Sequence, residues 1–144
     1  MKKSICNYRR QAFVQQHGRC FYCQHRMWIQ NPHQFAKSIG LSVKVTRALQ
    51  CTAEHLHPVS AGGNNSSTNI VAACRFCNQT RHRATRVKSP NEYAAHVQRR
   101  VNAQRWHPWT VREATYAQQV GADDAASRRT DRKSSCRERV CYAV

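Results

Sequence analysis

Acidic residues are what this 144-residue chain lacks: seven Asp and Glu stand against 24 Lys and Arg, a formal net charge of +17. Up to residue 110 only Glu54 and Glu92 oppose 17 Lys and Arg, a balance of +15. A folded domain so charged repels itself, which is tolerable when its partner is a polyanion. Nucleic acid is the first candidate, an anionic membrane surface the second, and a merely solvated basic face the plain alternative. Long apolar runs are missing too. None approaches the ~20 residues of a spanning helix, and the N-terminal residues lack a signal peptide's apolar core. A membrane-spanning or exported protein is therefore not expected; a cytoplasmic one is, in a bacterial or phage-type setting. There is no internal repeat beyond the likeness of CFYC to CRFC. From about residue 121 large apolar side chains nearly vanish, and such a composition cannot offset the entropy of ordering. Residues 111–144 are expected to form a disordered basic tail, which leaves one domain's worth of chain with a small core.

What the chain does have is cysteine, eight of them. An even number suits a disulfide scaffold, but the spacing points elsewhere. Cys20-x-x-Cys23 and Cys74-x-x-Cys77 are pairs in which a tight turn presents two sulfurs to one ion, and a reducing compartment keeps such thiols ready for zinc. Four thiolates close a tetrahedral shell and leave no site for water, so zinc held there is structural. Cysteines buried without metal are the alternative. Cys6, Cys51, Cys136 and Cys141 have no comparable partner and read as free thiols or core residues.

Periodicity places elements around these pairs. Residues 3–16 read as a helix with Ile5, Tyr8, Ala12 and Phe13 near one face and Gly18 at its end. Asn31-Pro32 starts a short helix through Ile39, stopped by Gly40. The alternation of Val43 and Val45 predicts a strand over 41–46, and 49–53 leads as strand into Glu54-His55. Residues 58–67, with Gly62-Gly63-Asn64-Asn65, are loop; 70–73 is a second short strand; 75–86 is a helix. Ser89-Pro90-Asn91-Glu92 predicts a capped helix start, continuing to about residue 104 with Tyr93, Val97 and Val101 on one side.

Residues 52–83, TAEHLHPVSAGGNNSSTNIVAACRFCNQTRHR, carry the chemistry. Glu54-His55 is followed by Pro58, the Gly62-Gly63 turn, Asn69 before an apolar run, and Cys74-x-x-Cys77 running at once into Asn78. With Cys20-x-x-Cys23 upstream, this order resembles the HNH endonucleases in their zinc-knuckle version, over roughly residues 19–83. The resemblance implies an α+β fold: a small ββα-metal (HNH, or His-Me finger) domain with flanking helices and a four-cysteine structural zinc at Cys20, Cys23, Cys74 and Cys77. It divides the chain into an N-terminal helix (1–18), a nuclease core (19–88), a C-terminal helix with a tryptophan segment (89–110) and the tail (111–144).

By the same resemblance, His55 is the general base that takes a proton from the attacking water, a role that suits an imidazole. Glu54 supplies a carboxylate to a divalent cation and Asn78 is the second ligand, hard oxygen donors suited to Mg²⁺ or Mn²⁺. Asn69 braces the loop and holds the histidine in place, so the three letters become His55, Asn69 and Asn78. Glu54 departs from the aspartate common at its position by one methylene, a change expected to be tolerated. Arg75, Arg81, Arg83, Arg86 and Lys88 cluster on and after the metal-bearing helix, which in the family lies along the minor groove. They are expected to grip phosphate without reading sequence; a solvated charged face is the alternative.

His82, four residues after Asn78, shares its helix face and is open to phosphate contact, solvation or metal. His57, two residues from His55, reads as structural or solvent-facing. Trp106 and Trp109 either pack on the zinc module or stack on bases. The implied activity is metal-dependent hydrolysis of DNA, with the double-stranded form the expected partner. A non-catalytic zinc-stabilised nucleic-acid-binding protein and an RNA-cleaving nuclease are the rivals. A pure binder has no need of Glu54, His55 and Asn78 together.

Overall fold

Two strands and the helix that follows them without a break form the centre of the fold. In a computed structural model, which describes residues 4–108 and 111–112, β1 (Cys51–His55) pairs antiparallel with β2 (Ile70–Cys74), Cys51 opposite Cys74 and His55 opposite Ile70. Cys74 ends β2 and also caps α4 (Arg75–Arg83), its Sγ accepting the Cys77 N–H at 3.4 Å. Strand turns into helix at a single residue because that sulfur satisfies one of the orphan amides of the first turn.

α1 (Ile5–Gln15) packs across the strand pair through Ala12 and Phe13. The residue after it, Gln16, bonds the free edge of β2 in both directions: its Nε2 donates to the Ala72 carbonyl and its Oε1 accepts the Ala72 amide, each at 2.8 Å. An exposed strand edge is thereby closed by one side-chain amide. Gly18 ends this segment in the left-handed conformation, φ 71°, as its position after the helix predicts.

α2 (Pro32–Ile39) begins where Asn31-Pro32 predicts, with the Asn31 side chain accepting from the Gln34 amide at 3.0 Å, and stops at left-handed Gly40. The strand expected over 41–46 is instead helical: α3 (Val43–Thr46) runs on into a 3₁₀ turn at Arg47–Leu49. Ser42 caps it, accepting from Val45, and Thr46 is buried with its hydroxyl donating to the Val43 carbonyl. Leu41, Val45, Ala48 and Leu49 meet Phe35 and Ile39 in one apolar cluster. Their spacing of three and four residues is the helical period, and it outweighs the two-residue alternation of the valines.

α5 (Pro90–Asn102) carries the capping box its sequence predicts. Ser89 Oγ accepts from the Glu92 amide and Glu92 Oε2 accepts from the Ser89 amide, at 3.3 and 3.0 Å. These bonds from Ser89 hold the exposed Glu92 carboxyl below its ordinary value. Tyr93 and Val97 are buried against the cysteine-centred core, which also takes in Tyr22, Met27, Cys51, Ala72, Ala73 and Trp106. Val111 is fully buried in the second cluster. Residues 113–144 and Trp109 lie outside the described residues. Among the described residues no helix is long and apolar enough to cross a membrane.

Candidate active site

The four predicted zinc ligands meet in the interior. The sulfurs of Cys20, Cys23, Cys74 and Cys77 lie within 4.8 Å of one another and none of the four residues exceeds 2 % exposure. A tetrahedral Zn–S shell of about 2.3 Å places sulfurs roughly 3.8 Å apart, and Cys23 and Cys74 stand at 3.9 Å. Burial opposes charge on Cys23, but bonds from Cys20, Cys74, Cys77 and His107 outweigh it and hold that thiol well below its ordinary value. Burial pushes Cys74 and Cys77 well above theirs. Buried sulfurs crowded in this way conflict unless a cation shares their charge, so the donor set fits a structural zinc. Cys51, buried outside this group, is pushed up to about 12 by burial. It is the core residue its isolation predicts, while Cys6 is exposed; Cys136 and Cys141 lie outside the described residues.

α4 presents Asn78, Arg81 and His82 to β1. Asn78 Nδ2 donates to Thr52 Oγ1 (3.0 Å) and to the Ala53 carbonyl (3.2 Å). This anchors the amide by its nitrogen and leaves Oδ1 as the atom that can serve a cation. Glu54 is 1 % exposed. Its Oε1 accepts from Arg81 Nη1 and from the Tyr22 hydroxyl, the latter at 3.2 Å, while Oε2 accepts from His82 Nε2 at 3.1 Å. Burial and the neighbouring Glu54 raise the Tyr22 hydroxyl far above its ordinary value, so it remains a donor.

Arg81 corrects the sequence reading. It is 2 % exposed, not a phosphate grip. Its guanidinium pairs with Glu54 and also donates to the carbonyls of His55 (3.1 Å), Leu56 (3.2 Å) and Lys88 (3.2 Å). A buried carboxylate needs such a partner, and Arg81 ties it to both the end of β1 and the segment before α5. His82, 41 % exposed at its side chain, faces Glu54 rather than standing alone in solvent.

His55 lies on the opposite face of β1 from Glu54, half-buried, with Nε2 donating to Asn65 Oδ1 at 2.8 Å. The bond to Asn65 leaves Nδ1 as the other ring nitrogen. Asn69 bridges the loop: Oδ1 accepts from the His57 amide at 2.8 Å, and Nδ2 donates to the carbonyls of His57 (3.0 Å) and Asn64 (2.8 Å). One side chain thus clamps both ends. Gly63 closes the same loop, and a Cβ there would lie 1.9 Å from the His57 carbonyl oxygen, so no larger residue fits. His57 serves the loop as well, its ring Nε2 donating to the Ala61 carbonyl at 2.7 Å.

The remaining predicted cations sit around this site. Arg83, Arg86 and Lys88 are exposed, whereas Arg75 is half-buried with its guanidinium 3.4 Å from Gln50 Oε1. Arg86 and Lys88 join Arg99 of α5 around an open cleft of about 460 Å³, whose one acidic wall residue, Glu92, is engaged by Ser89. Three residues escaped sequence reading: Tyr22, His107 and the buried role of Arg81. For Arg81 a signal existed, since residues three apart share a helix face, and Asn78 marks the face that meets β1.

An antiparallel strand pair running into a helix, with an acid and a histidine ending the first strand and an asparagine in the helix's first turn, is the ββα arrangement of HNH domains. The model for the HNH endonuclease family matches residues 44–92, 49 of the 144 residues, and supports that family for this segment. No curated protein and no solved structure matches it. The match suggests nuclease-type function, a nucleic-acid substrate and, in general, dependence on a metal.

Proposed function

We propose that the protein is a metal-dependent endonuclease that hydrolyses DNA phosphodiester bonds and leaves a 5′-phosphate and a 3′-hydroxyl. The observation that carries this is the division of β1: Glu54 is turned in toward α4, and the adjacent His55 is turned to the loop with one ring nitrogen held by Asn65. His55 takes the proton of the attacking water at Nδ1, its orientation kept by Asn65 and by the loop that Asn69 clamps. Glu54 and Asn78 would hold a divalent cation, Mg²⁺ or Mn²⁺, and His82 bonds the same Glu54 carboxylate. A cation so held would supply Lewis-acid stabilisation of the phosphate and the leaving oxygen. Arg81 keeps the other oxygen of Glu54 engaged and so fixes which one is offered.

Substrate affinity comes from phosphate contacts. Arg83, Arg86 and Lys88 are the exposed candidates on and after α4, and Arg99 extends them onto α5 through the shared cleft. Each neutralised duplex phosphate steepens the fall of log affinity with log salt by about 0.9. Arg83→Ala and Arg86→Ala should each weaken binding equally on unrelated sequences and reduce that slope by roughly one unit, as fluorescence anisotropy across a salt series would measure. An unchanged slope, or a loss confined to one sequence, would remove these side chains from the backbone contact.

The activity itself is tested on end-labelled duplex DNA and on RNA of the same sequence, with Mn²⁺ or Mg²⁺. Cleavage of the DNA to fragments that polynucleotide ligase rejoins supports the proposal. Cleavage of RNA alone favours the RNA-directed alternative, and binding without cleavage of either favours the non-catalytic one.

The two metal sites separate experimentally. EDTA should stop cleavage reversibly and leave the fold intact, because a carboxylate–amide site holds its ion loosely. Cys74→Ser should unfold or strongly destabilise the domain, since zinc binding at the cysteines contributes to the folding free energy. Elemental analysis finding no zinc in folded protein would contradict this.

A further inference from the structure

Each of the four clustered sulfurs has a nitrogen at hydrogen-bond distance. The backbone of the second knuckle supplies two of them: the Cys74 amide donates to Cys20 Sγ at 3.3 Å and the Cys77 amide to Cys74 Sγ at 3.4 Å. The other two come from neighbouring side chains beyond α5. Trp106 Nε1–H donates to Cys77 Sγ at 3.1 Å, and His107 Nε2 stands 3.3 Å from Cys23 Sγ. Both residues are buried. Their rings are held by Phe76, at centroid distances of 5.5 Å for Trp106 and 4.9 Å for His107, and His107 packs on His25 at 4.6 Å.

Four thiolates around one Zn²⁺ carry a net charge of −2, and burying it is costly unless donors surround the sulfurs. A knuckle's own backbone serves only Cys20 and Cys74 here. One sulfur of each knuckle, Cys23 of the first and Cys77 of the second, depends on the 106–107 pair. We propose that Trp106 and His107 are a clasp on the zinc centre: with Nε2 protonated, His107 and Trp106 complete the donor shell and set how long the metal is retained. The clasp also connects the metal to the rest of the fold. Pro108 follows it, and the Pro108 carbonyl accepts from Val111, which is buried in the cluster of α2 and the 3₁₀ turn. Metal retention at this centre is independent of whether the domain cuts DNA.

The test uses the full chain loaded with zinc, and separately with Co²⁺. Trp106→Phe and His107→Phe keep ring packing but remove the donor, whereas His107→Gln keeps an N–H near the same place. Loss of an outer-shell partner weakens metal sites by about 10–100-fold. Both phenylalanine variants should therefore release zinc to a chromogenic chelator about 10–100 times faster than wild type, and His107→Gln should stay within a few-fold. In the cobalt form, sulfur-to-metal charge-transfer bands should move to lower energy in the phenylalanine variants, because a thiolate without its donor is easier to oxidise. A merely structural role would leave those bands in place. If Trp106→Phe fails to fold, the comparison of His107→Phe with His107→Gln decides alone. Wild-type release rates and unshifted bands in the variants that fold would overturn the proposal.

Discussion

Replacing Arg81 by methionine should cost about 3–5 kcal/mol of stability, the range for breaking one side of a buried ion pair. The variant fills a similar volume but leaves Glu54, 1 % exposed, without its cation and strips donors from the His55, Leu56 and Lys88 carbonyls. A small domain of ordinary stability, about 5–15 kcal/mol, would be largely unfolded or close to it. The companion experiment removes both charges. Glu54→Gln with Arg81→Met should recover a substantial part of the loss, because the uncompensated carboxylate is gone, and the non-additivity measures the pair. Urea unfolding at fixed zinc concentration reads both. A loss below about 1 kcal/mol for Arg81→Met, with a reduced salt slope in DNA binding, would return Arg81 to the surface role its charge first suggested.

His55→Ala should lower the single-turnover cleavage rate by about 10²–10⁴-fold, the usual contribution of a positioned general base. The cost in stability should be small, since the ring is half-buried and its one hydrogen bond goes to a loop side chain, Asn65. Binding should be nearly unchanged, because His55 carries none of the phosphate-gripping charge. That combination separates a catalytic loss from an unfolding one. A variant within about threefold of wild type would remove His55 from the mechanism.

Much of the site was legible because its signals are local. The Asn31-Pro32 start, the Ser89–Glu92 box and Cys74-x-x-Cys77-Asn78 act within one helical turn, and the structure forms each of these elements at its predicted place. The segment over 41–46 misleads for a physical reason. Two valines two apart satisfy a strand, yet Leu41, Val45, Ala48 and Leu49 bury on one helical face once Phe35 and Ile39 stand opposite. Long-range pairings were harder to read, with only the helix spacing of Arg81 from Asn78 as a signal for one of them. Arg81 meets Glu54 across 27 residues and His107 meets Cys23 across 84. Clustering with other cations on a helix expected to lie along the minor groove sent Arg81 to the surface, whereas a lone acidic residue on a strand, in a chain this basic, had to find a cation to be buried.

The most direct measurement is conversion of supercoiled plasmid by the full chain, followed on a gel with Mg²⁺ or Mn²⁺, with EDTA, and with His55→Ala under the same conditions. The proposed mechanism predicts nicked or linear product with either cation, none with EDTA until cation is restored, and none from the variant over the same time. Undiminished cutting in EDTA, or by His55→Ala, would contradict it, as would wild-type protein that binds the plasmid and leaves it supercoiled with every cation.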